Sequence, residues 1–308
     1  MGIHPGLNIF PNENANQYRF IRVMLSIAVV GATGFIGSEI CRMFSQSGWR
    51  VLEFSRNHAN QALRLDLRNK ESFNRILSEG TPDVVLTTAW ETSHGDFWTS
   101  SRNLEYSDAT LAFAEFCMQR KVKKFVALGS MSEYGFSNRG GFSSSYTHES
   151  ADTYSIQKRR THEGLQALGE LYEVPFQWLR IFQAFGKKEK KDRLLPSMIT
   201  SLRNSEVFQI QTPRNVLDWI HVEEIANAVL WTICEIKSSV IDIGTSKPHS
   251  VKNIAELICH IHKLDSNLIQ FKIQDEKTVK DLVVSTSSPL FVSGWKEEKS
   301  IEERLASL

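Results

Sequence analysis

Hydrophobic and polar residues are arranged in blocks that predict alternating strands and helices. Short apolar runs predict strands over residues 25–30, 51–54 and 84–88. Helical periodicity over residues 34–45 and around residues 70–77 lies between them. This order is typical of a parallel sheet in which helices connect successive strands.

The alternation continues to residue 181 and then changes. Helical patterns cover residues 103–119 and 154–168, an apolar strand covers residues 125–128, and a further strand covers Phe176–Ile181. Beyond them a basic run leads into shorter and less regular pieces. These patterns predict an α/β fold, with a Rossmann-type doubly wound parallel sheet and a smaller mixed α/β substrate lobe.

The predicted organisation has three parts. Residues 1–23 are mostly polar and contain Gly, Pro and Asn, so they are interpreted as a flexible N-terminal extension. Residues 24–180 form the predicted dinucleotide-binding core. Residues 181–308 form mainly the second lobe, with some segments returning to the core.

The composition limits the partners of the chain. A formal net charge of +1 over 308 residues gives no general attraction to nucleic acid or to an anionic membrane. No apolar run approaches the roughly 18 residues that a membrane span requires. The four cysteines form no C-x-x-C pair, so neither a disulfide framework nor a zinc site is indicated. We therefore expect a cytoplasmic protein that binds no metal, no nucleic acid and no membrane.

A glycine-rich turn follows the first predicted strand and opens the first predicted helix. Gly31, Gly34 and Gly37 have the spacing G-x-x-G-x-x-G. Glycine allows a tight turn and a close backbone approach to a pyrophosphate, and the N–H groups of the following helix favour its charge. The alternative is a strand-to-helix turn that binds nothing. We predict a dinucleotide site formed by these glycines and by their neighbours Thr33, Phe35 and Ile36.

The end of the second predicted strand bears on the choice between NAD and NADP. An acidic residue there binds the ribose hydroxyls of NAD and repels the 2′-phosphate of NADP. Ser55 and Arg56 occupy this place, whereas Glu53 lies within the strand. NADP(H) is therefore favoured, with NAD(H) as the alternative if Arg56 is only a solvated surface charge.

Three further residues are predicted to contact the cofactor. Asp66 and Leu67 follow a short apolar segment and are expected near the adenine, with helix capping by Asp66 as the alternative. Ala89 follows the strand over residues 84–88, at the edge of the sheet where ligands bind.

A tyrosine and a lysine lie one turn apart in the predicted helix over residues 154–168. Tyr154 and Lys158 occupy positions i and i+4, so their side chains share one face. The ammonium is then expected to stabilise the phenolate and to lower the tyrosine pKa from its usual value of about 10. We predict an acid/base pair in which Lys158 also hydrogen-bonds a nicotinamide ribose.

Polar side chains follow two of the predicted strands at the same edge of the sheet. Ser130 is predicted to hydrogen-bond a substrate oxygen and Ser132 to line the same site, with local capping as the alternative for each serine. Trp90 and His94 are predicted to shape the substrate pocket, with core packing as the alternative for the tryptophan.

Several segments match one pattern: residues 31–37, Ser130 with Tyr134 and Gly135, Tyr154 with Lys158, and residues 180–186, 218–226 and 242–245. Together they resemble the extended short-chain dehydrogenase/reductase family, specifically its nucleotide-sugar epimerases, dehydratases and reductases. The resemblance implies that Ser130 and Tyr154 bind the reacting sugar oxygen and that Lys158 binds the nicotinamide ribose. It also implies a nucleoside-diphosphate sugar in the second lobe, and a homodimer formed through the helices over residues 103–119 and 154–168.

The chain departs from this family in its acidic and its nucleotide-binding residues. Met131 and Ser132 stand where the dehydratase branch carries its acids, and Glu133 is displaced by one position, so dehydration is disfavoured. The usual Asn, Pro and Arg of the nucleotide site are also replaced. The substrate contacts that we predict there are Gln183, Lys187, Arg214 and Asp218, with Arg214 or Lys187 supplying the positive charge.

The resemblance favours one reaction and leaves two alternatives. The favoured reaction is reduction of a 4-keto nucleotide sugar by NADPH, in which Tyr154 protonates the oxygen that Ser130 polarises. A 4-epimerase that retains NAD would use the same residues. A dinucleotide-sensing or scaffold protein is the non-enzymatic alternative, against which the complete set of Ser130, Tyr154 and Lys158 argues.

Overall fold

The computed structural model describes residues 25–91, 97–135, 137 and 152–308. The predictions for residues 1–23 and for His94 lie outside these residues. Strands of the described chain are β1 (Ser26–Val30), β2 (Arg50–Phe54), β3 (Val84–Thr87), β4 (Lys124–Ser130), β5 (Phe176–Ile181), β6 (Gln183–Phe185), β7 (Phe208–Ile210), β8 (Val216–His221), β9 (Val240–Ile243), β10 (Pro248–Ser250), β11 (Ile269–Phe271) and β12 (Asp281–Leu282).

Helices connect most of these strands. They are α1 (Phe35–Gln46), α2 (Arg102–Gln119), α3 (Thr153–Tyr172), α4 (Leu194–Arg203), α5 (Val222–Glu235), α6 (Val251–His262), α7 (Pro289–Val292) and α8 (Ile301–Leu305). Five 3₁₀ segments add short turns, at Gln61–Leu63, Lys70–Leu77, Met131–Tyr134, Ser266–Leu268 and Glu276–Thr278.

A six-stranded parallel sheet in the order β2-β1-β3-β4-β5-β9 forms the centre of the molecule. The predicted Rossmann-type α/β fold is thereby confirmed. The chain leaves β1 towards β2 on one side and later returns to β3 on the other, so the direction of winding reverses beside β1. Ligands of open α/β sheets bind at such a reversal, outside the carboxyl ends of the strands.

Both faces of the sheet are covered by helices. Side chains of β1 alternate between them: Ile27 and Val29 belong to the apolar cluster that includes residues of α1 and α5, and Ala28 and Val30 to the cluster that includes residues of α2 and α3. Strands buried on both faces are mostly apolar, which explains the apolar runs in the sequence.

A smaller mixed lobe is built around β8. This strand pairs with β10, β12 and β6, and β7 pairs separately with β11. A third apolar cluster fills the lobe, with residues such as Phe185, Met198, Trp219 and Ile254. Two elements from the second half of the chain lie with the main sheet instead, because α5 packs on α1 and β9 pairs with β5.

One predicted helix adopts a tighter winding. Residues Lys70–Leu77 form a 3₁₀ helix, capped by the Asn69 side chain, which accepts from the N–H of Glu71. Its buried apolar residues, Phe73 and Ile76, are three positions apart, and a helix with three residues per turn brings both to the same side. Among the described residues, no helix is both long enough and apolar enough to cross a membrane.

Candidate active site

The glycine turn brings the end of β1 close to the start of α1. Gly31 has φ +93°, and a Cβ there would lie 2.4 Å from Oγ1 of Thr88. A Cβ on Gly37 would lie 2.2 Å from the carbonyl oxygen of Gly31. Gly34 precedes the first turn of α1 without a side-chain cap among the described residues, and it is exposed together with Thr33. The first N–H groups of α1 are therefore open to an anion.

The end of β2 carries a hydroxyl and lies near two arginines. Ser55 is 4% exposed, and its Oγ has no hydrogen-bond partner within the described part of the chain. Nη1 of Arg56 lies 3.4 Å from Oη of Tyr106, and the Arg68 guanidinium lies 5.4 Å from the centre of the same ring. An unsatisfied hydroxyl beside cationic groups fits the ribose and phosphate of a dinucleotide.

The other predicted cofactor residues lie around this turn. Asp66 forms an ion pair with Arg68 at 3.0 Å and also accepts from its backbone N–H. Asn69 rather than Asp66 caps the following helix, so the capping alternative for Asp66 was wrong. Leu67 is buried in the apolar cluster that covers one face of the sheet. Ala89 lies next to the glycine turn, since its backbone nitrogen would be 3.0 Å from a Cβ on Gly31.

Tyr154 and Lys158 occupy adjacent turns of α3 and are held by different neighbours. The Tyr154 N–H donates to the carbonyl of Trp98 at 3.1 Å. Lys158 is 4% exposed, and its Nζ donates to the carbonyl of Leu128, in β4, at 2.7 Å. Ser130 ends this strand, with its Oγ 2.8 Å from that of Ser132. The structure thus brings the three predicted catalytic residues to one edge of the sheet.

Burial sets the protonation of the pair. Loss of water raises the pKa of Tyr154 to about 12, although the Ser130 hydroxyl and the Arg193 charge oppose this rise. Burial lowers the pKa of Lys158 to about 7, and the negative charge of Glu133 opposes that shift. The expected lowering of the tyrosine pKa was wrong for the ligand-free chain, because desolvation of the phenol dominates and the ammonium is engaged by Leu128. Tyr154 consequently holds its proton at neutral pH.

A buried polar network lies beneath these residues. Glu133 is fully buried and accepts from the Ser130 N–H at 2.7 Å, from Trp178 Nε1 at 3.1 Å and from Arg180 Nε at 3.0 Å. Ser130 in return caps the 3₁₀ turn Met131–Tyr134. Local capping was the alternative to substrate binding for both serines, and Ser130 does cap this turn. The carboxylate of Glu133 is bound inside the protein and is not presented to the pocket.

Aromatic rings and two cations lie around Tyr154, in a group that we call the aromatic cluster. The ring centres of Phe97 and Trp98 lie 5.1 and 5.6 Å from that of Tyr154, both edge-on. The Arg193 guanidinium lies 5.3 Å from the Phe97 ring centre and Nζ of Lys280 lies 5.0 Å from that of Trp98. Arg193 is only one member of a basic run in the sequence, and Lys280 carries no sequence signal, so neither was predicted as a site residue.

The predicted substrate residues of the second lobe are not gathered around Tyr154. Asp218 is fully buried and accepts from the N–H groups of Thr245, Ser246 and Val284, so it anchors backbone instead of facing a ligand. The prediction that it contacts substrate is corrected accordingly. Arg214 is paired with Glu276 at 2.8 Å.

Two more predicted substrate residues, Gln183 and Lys187, flank β6. Gln183 begins this strand and is partly buried. Lys187 follows its end and is exposed. Neither residue is brought into contact with Tyr154 or Ser130 by the interactions of the described chain, and a role for them in substrate binding stays a prediction.

Comparisons with known proteins agree with this architecture. Residues 27–244 match the model of the NAD dependent epimerase/dehydratase family. CDP-abequose synthase of Yersinia pseudotuberculosis is 21% identical over 256 residues, which cover 79% of this chain and 86% of that protein.

Solved structures with similar folds include two epimerases. UDP-N-acetylglucosamine 4-epimerase of Methanobrevibacter ruminantium, in complex with UDP-N-acetylmuramic acid, has a TM-score of 0.80 at 21% identity and covers 92% of this chain and 96% of its own. UDP-glucose 4-epimerase of Thermus thermophilus, in complex with NAD, has a TM-score of 0.77 at 19% identity, with coverages of 92% and 97%.

Proposed function

The chain belongs to the NAD dependent epimerase/dehydratase family, and from this membership we propose that it reduces a 4-keto nucleoside-diphosphate sugar with NADPH. The observation that carries the proposal is the placement of Tyr154 and Lys158, one turn apart on α3, beside Ser130 at the end of β4. Reduction of a carbonyl requires a proton donor at the oxygen, and the Tyr154 phenol, whose pKa burial raises, holds that proton at neutral pH.

The residues of the chain divide the work of such a reduction. Tyr154 donates its phenolic proton to the carbonyl oxygen, and the Ser130 hydroxyl polarises the same oxygen by a hydrogen bond. The Lys158 ammonium compensates the charge that develops on the phenol and binds the nicotinamide ribose. A bound dinucleotide would supply the hydride. The rings of Phe97 and Trp98, which pack edge-on against Tyr154, would exclude water from the proton donor.

The position of Glu133 argues against elimination of water. A dehydratase requires an acid directed into the pocket, and Glu133 is instead held by Ser130, Trp178 and Arg180 beneath it. Met131 and Ser132 have no acidic group. Reduction and epimerisation need only the hydroxyls and the lysine, so both remain compatible with the side chains present.

A 4-epimerase is the second candidate. The resemblance of the fold to two 4-epimerases favours it, and the same three residues would serve. A mass spectrum of the small molecules released from the purified protein separates the candidates. A reductase is expected to release no tightly held NAD. Release of retained NAD would favour the epimerase over the reductase. A dinucleotide sensor would need neither Ser130 nor Tyr154, which makes that alternative the weakest.

Preference for NADP is part of the proposal, and Arg56 is the residue to test. Arg56 and Arg68 flank Tyr106 near the unsatisfied hydroxyl of Ser55, which suits a 2′-phosphate. Arg56→Ala is expected to weaken NADPH binding by about tenfold or more, the scale of a lost charge-assisted hydrogen bond, and NADH binding much less. Fluorescence titration with both cofactors measures this. Exposed Arg64→Ala is the control, and equal losses for both cofactors would remove the NADP assignment.

We also assign the positive charge for the substrate diphosphate to Arg193 and Lys280, which lie beside the rings of Phe97 and Trp98. Arg193→Ala is expected to weaken nucleoside-diphosphate binding by about tenfold, because a charged hydrogen-bond donor is lost. Calorimetry with UDP, CDP, dTDP and GDP identifies the base that binds and measures the loss. Lys191→Ala removes an exposed lysine of the same basic run and should leave affinity unchanged; equal effects of the two variants would contradict the assignment.

A homodimer and a cytoplasmic location complete the proposal. Leu104 of α2 and Ile156 of α3 are exposed apolar residues, at 45% and 42%, on the two helices that the resemblance assigns to pairing. The four cysteines are free thiols, which suits a reducing compartment.

A further inference from the structure

Trp90 lies against the ammonium of Lys158, in a role that the proposed reaction does not assign to it. Nζ of Lys158 is 3.7 Å from the centre of the Trp90 ring, and the Trp178 ring follows at 5.6 Å. The ammonium also donates to the carbonyl of Leu128 at 2.7 Å. The face of Trp90 thus occupies a place that hydrating water would otherwise take.

The indole is itself fixed from its far side. Its Nε1 donates to Oδ1 of Asn103 at 2.9 Å. Asn103 is fully buried, and its Nδ2 donates to the carbonyls of Phe97 and Ser100 at 2.5 and 3.0 Å. These two donations fix the orientation of the amide, so its oxygen must face the indole. Trp90 cannot turn away from Lys158 without breaking a hydrogen bond to a buried group.

We propose that Trp90, held by Asn103, is a positioning residue whose ring face keeps the Lys158 ammonium charged and in place beside Tyr154. The face of an aromatic ring is negative and attracts a cation most strongly where water is absent. Substrate contact, predicted for Trp90 from the sequence, is not needed for this role. The inference deepens the proposed function, which requires a charged lysine at the phenol and at the ribose.

Few other groups set the charge of Lys158. Among the described residues, the titratable side chains that face it are Glu133, from the turn between β4 and α3, and Tyr154, from its own helix. Burial lowers the pKa of Lys158 to about 7, and the negative charge of Glu133 opposes this shift only in part. The ring face of Trp90 adds to the attraction of Glu133, so its removal is expected to lower the charged fraction of the lysine.

The titration of Lys158 in the ligand-free full chain tests the proposal. Lysine labelled with ¹³C at Cε gives a resonance for each residue, and the one lost in Lys158→Met belongs to Lys158. Trp90→Phe and Trp90→Leu both open space and remove the bond to Asn103, but only the phenylalanine keeps an aromatic face. We expect the Lys158 midpoint in the leucine variant to lie about one pKa unit below that in the phenylalanine variant.

Two controls make the result specific. Trp231 is another half-buried indole with one N–H hydrogen bond, to Oγ of Ser293 at 2.9 Å, and Trp231→Leu should leave the midpoint unchanged. Should Trp90→Leu fail to fold, fluorinated tryptophan in the unmutated chain weakens the ring face at nearly constant shape. Fluorinated tryptophan should lower the Lys158 titration midpoint in the unmutated chain. In Trp90→Phe, which has no indole at position 90, the same labelling should change the midpoint much less.

Equal midpoints in the phenylalanine and leucine variants, within about 0.3 pKa unit, would overturn the proposal. With fluorinated tryptophan, an unchanged midpoint in the unmutated chain would do the same. The titration uses no cofactor and no substrate, so its outcome does not depend on the reaction. A chain with the expected titration that bound no dinucleotide would refute the proposed function alone.

Discussion

Tyr154→Phe is expected to lower turnover by about 100-fold or more while dinucleotide affinity stays unchanged. The substitution removes only the phenolic oxygen, and the edge-on ring contacts with Phe97 and Trp98 remain. Turnover is expected to fall because the proposed proton donor is lost, whereas the proposal assigns cofactor binding to the glycine turn and to Lys158. Steady-state rates and fluorescence titration of the same preparation measure both quantities.

The neighbouring lysine provides a contrasting variant. Lys158→Ala is expected to reduce both turnover and dinucleotide affinity, since its ammonium is assigned to the phenol and to the ribose. Tyr172→Phe removes the hydroxyl of a tyrosine at the end of the same helix, bonded to Glu115 at 2.9 Å, and should change neither quantity. Full activity of Tyr154→Phe would mean that the proposed catalytic residues are wrong.

Gly34→Val is expected to abolish dinucleotide binding in a folded protein. Gly34 has φ −74° and ψ 169°, a conformation open to any residue, and a Cβ there would lie 3.2 Å from the nearest atom, the Gly31 carbonyl oxygen. The backbone can therefore accept the change with a small adjustment. The new side chain would, however, stand at the open start of α1, where a pyrophosphate needs the N–H groups.

The choice of glycine decides whether this experiment can be interpreted. Gly37→Val would place a Cβ 2.2 Å from a carbonyl oxygen, so lost binding could reflect a distorted turn. Ser45→Val, at an exposed position near the other end of α1, controls for the valine in the helix. Circular dichroism establishes that both variants fold. Unchanged dinucleotide affinity in folded Gly34→Val would place the cofactor elsewhere.

Features with a local cause could be predicted from the sequence. Strand β5 was predicted with its observed bounds, Phe176–Ile181, because four of its six residues are apolar, as is typical of a strand buried on both faces. Tyr154 and Lys158 are close because residues four apart share one face of a helix. Gly31 and Gly37 are close because a tight turn between strand and helix requires residues without a side chain.

Features that depend on distant neighbours could not be predicted. The polarity of Asp218 suggested a ligand contact, but its burial and its bonds to Thr245, Ser246 and Val284 depend on segments far along the chain. The protonation of Tyr154 was misjudged for the same reason, because the sequence shows the nearby lysine and not the loss of water. Lys280 precedes β12 and lies beside Trp98, and this placement depends on the pairing of β12 with β8.

Asn103 illustrates the same difficulty at the catalytic edge. An asparagine near the start of a helix is usually a polar surface residue, yet here it is fully buried and links Phe97, Ser100 and Trp90. Only the packed structure shows that this amide reaches Lys158 through an indole.

The consumption of NADPH in the presence of 4-keto nucleotide sugars tests the central claim most directly. Absorbance follows the cofactor, and chromatography of the same reaction follows the sugar. The unmutated chain is expected to oxidise one NADPH for each keto sugar reduced, and Tyr154→Phe should do so about 100-fold more slowly or worse. Formation of a 4-epimer from a nucleotide sugar without net oxidation of NADPH would contradict the reductase and move the chain to the epimerases.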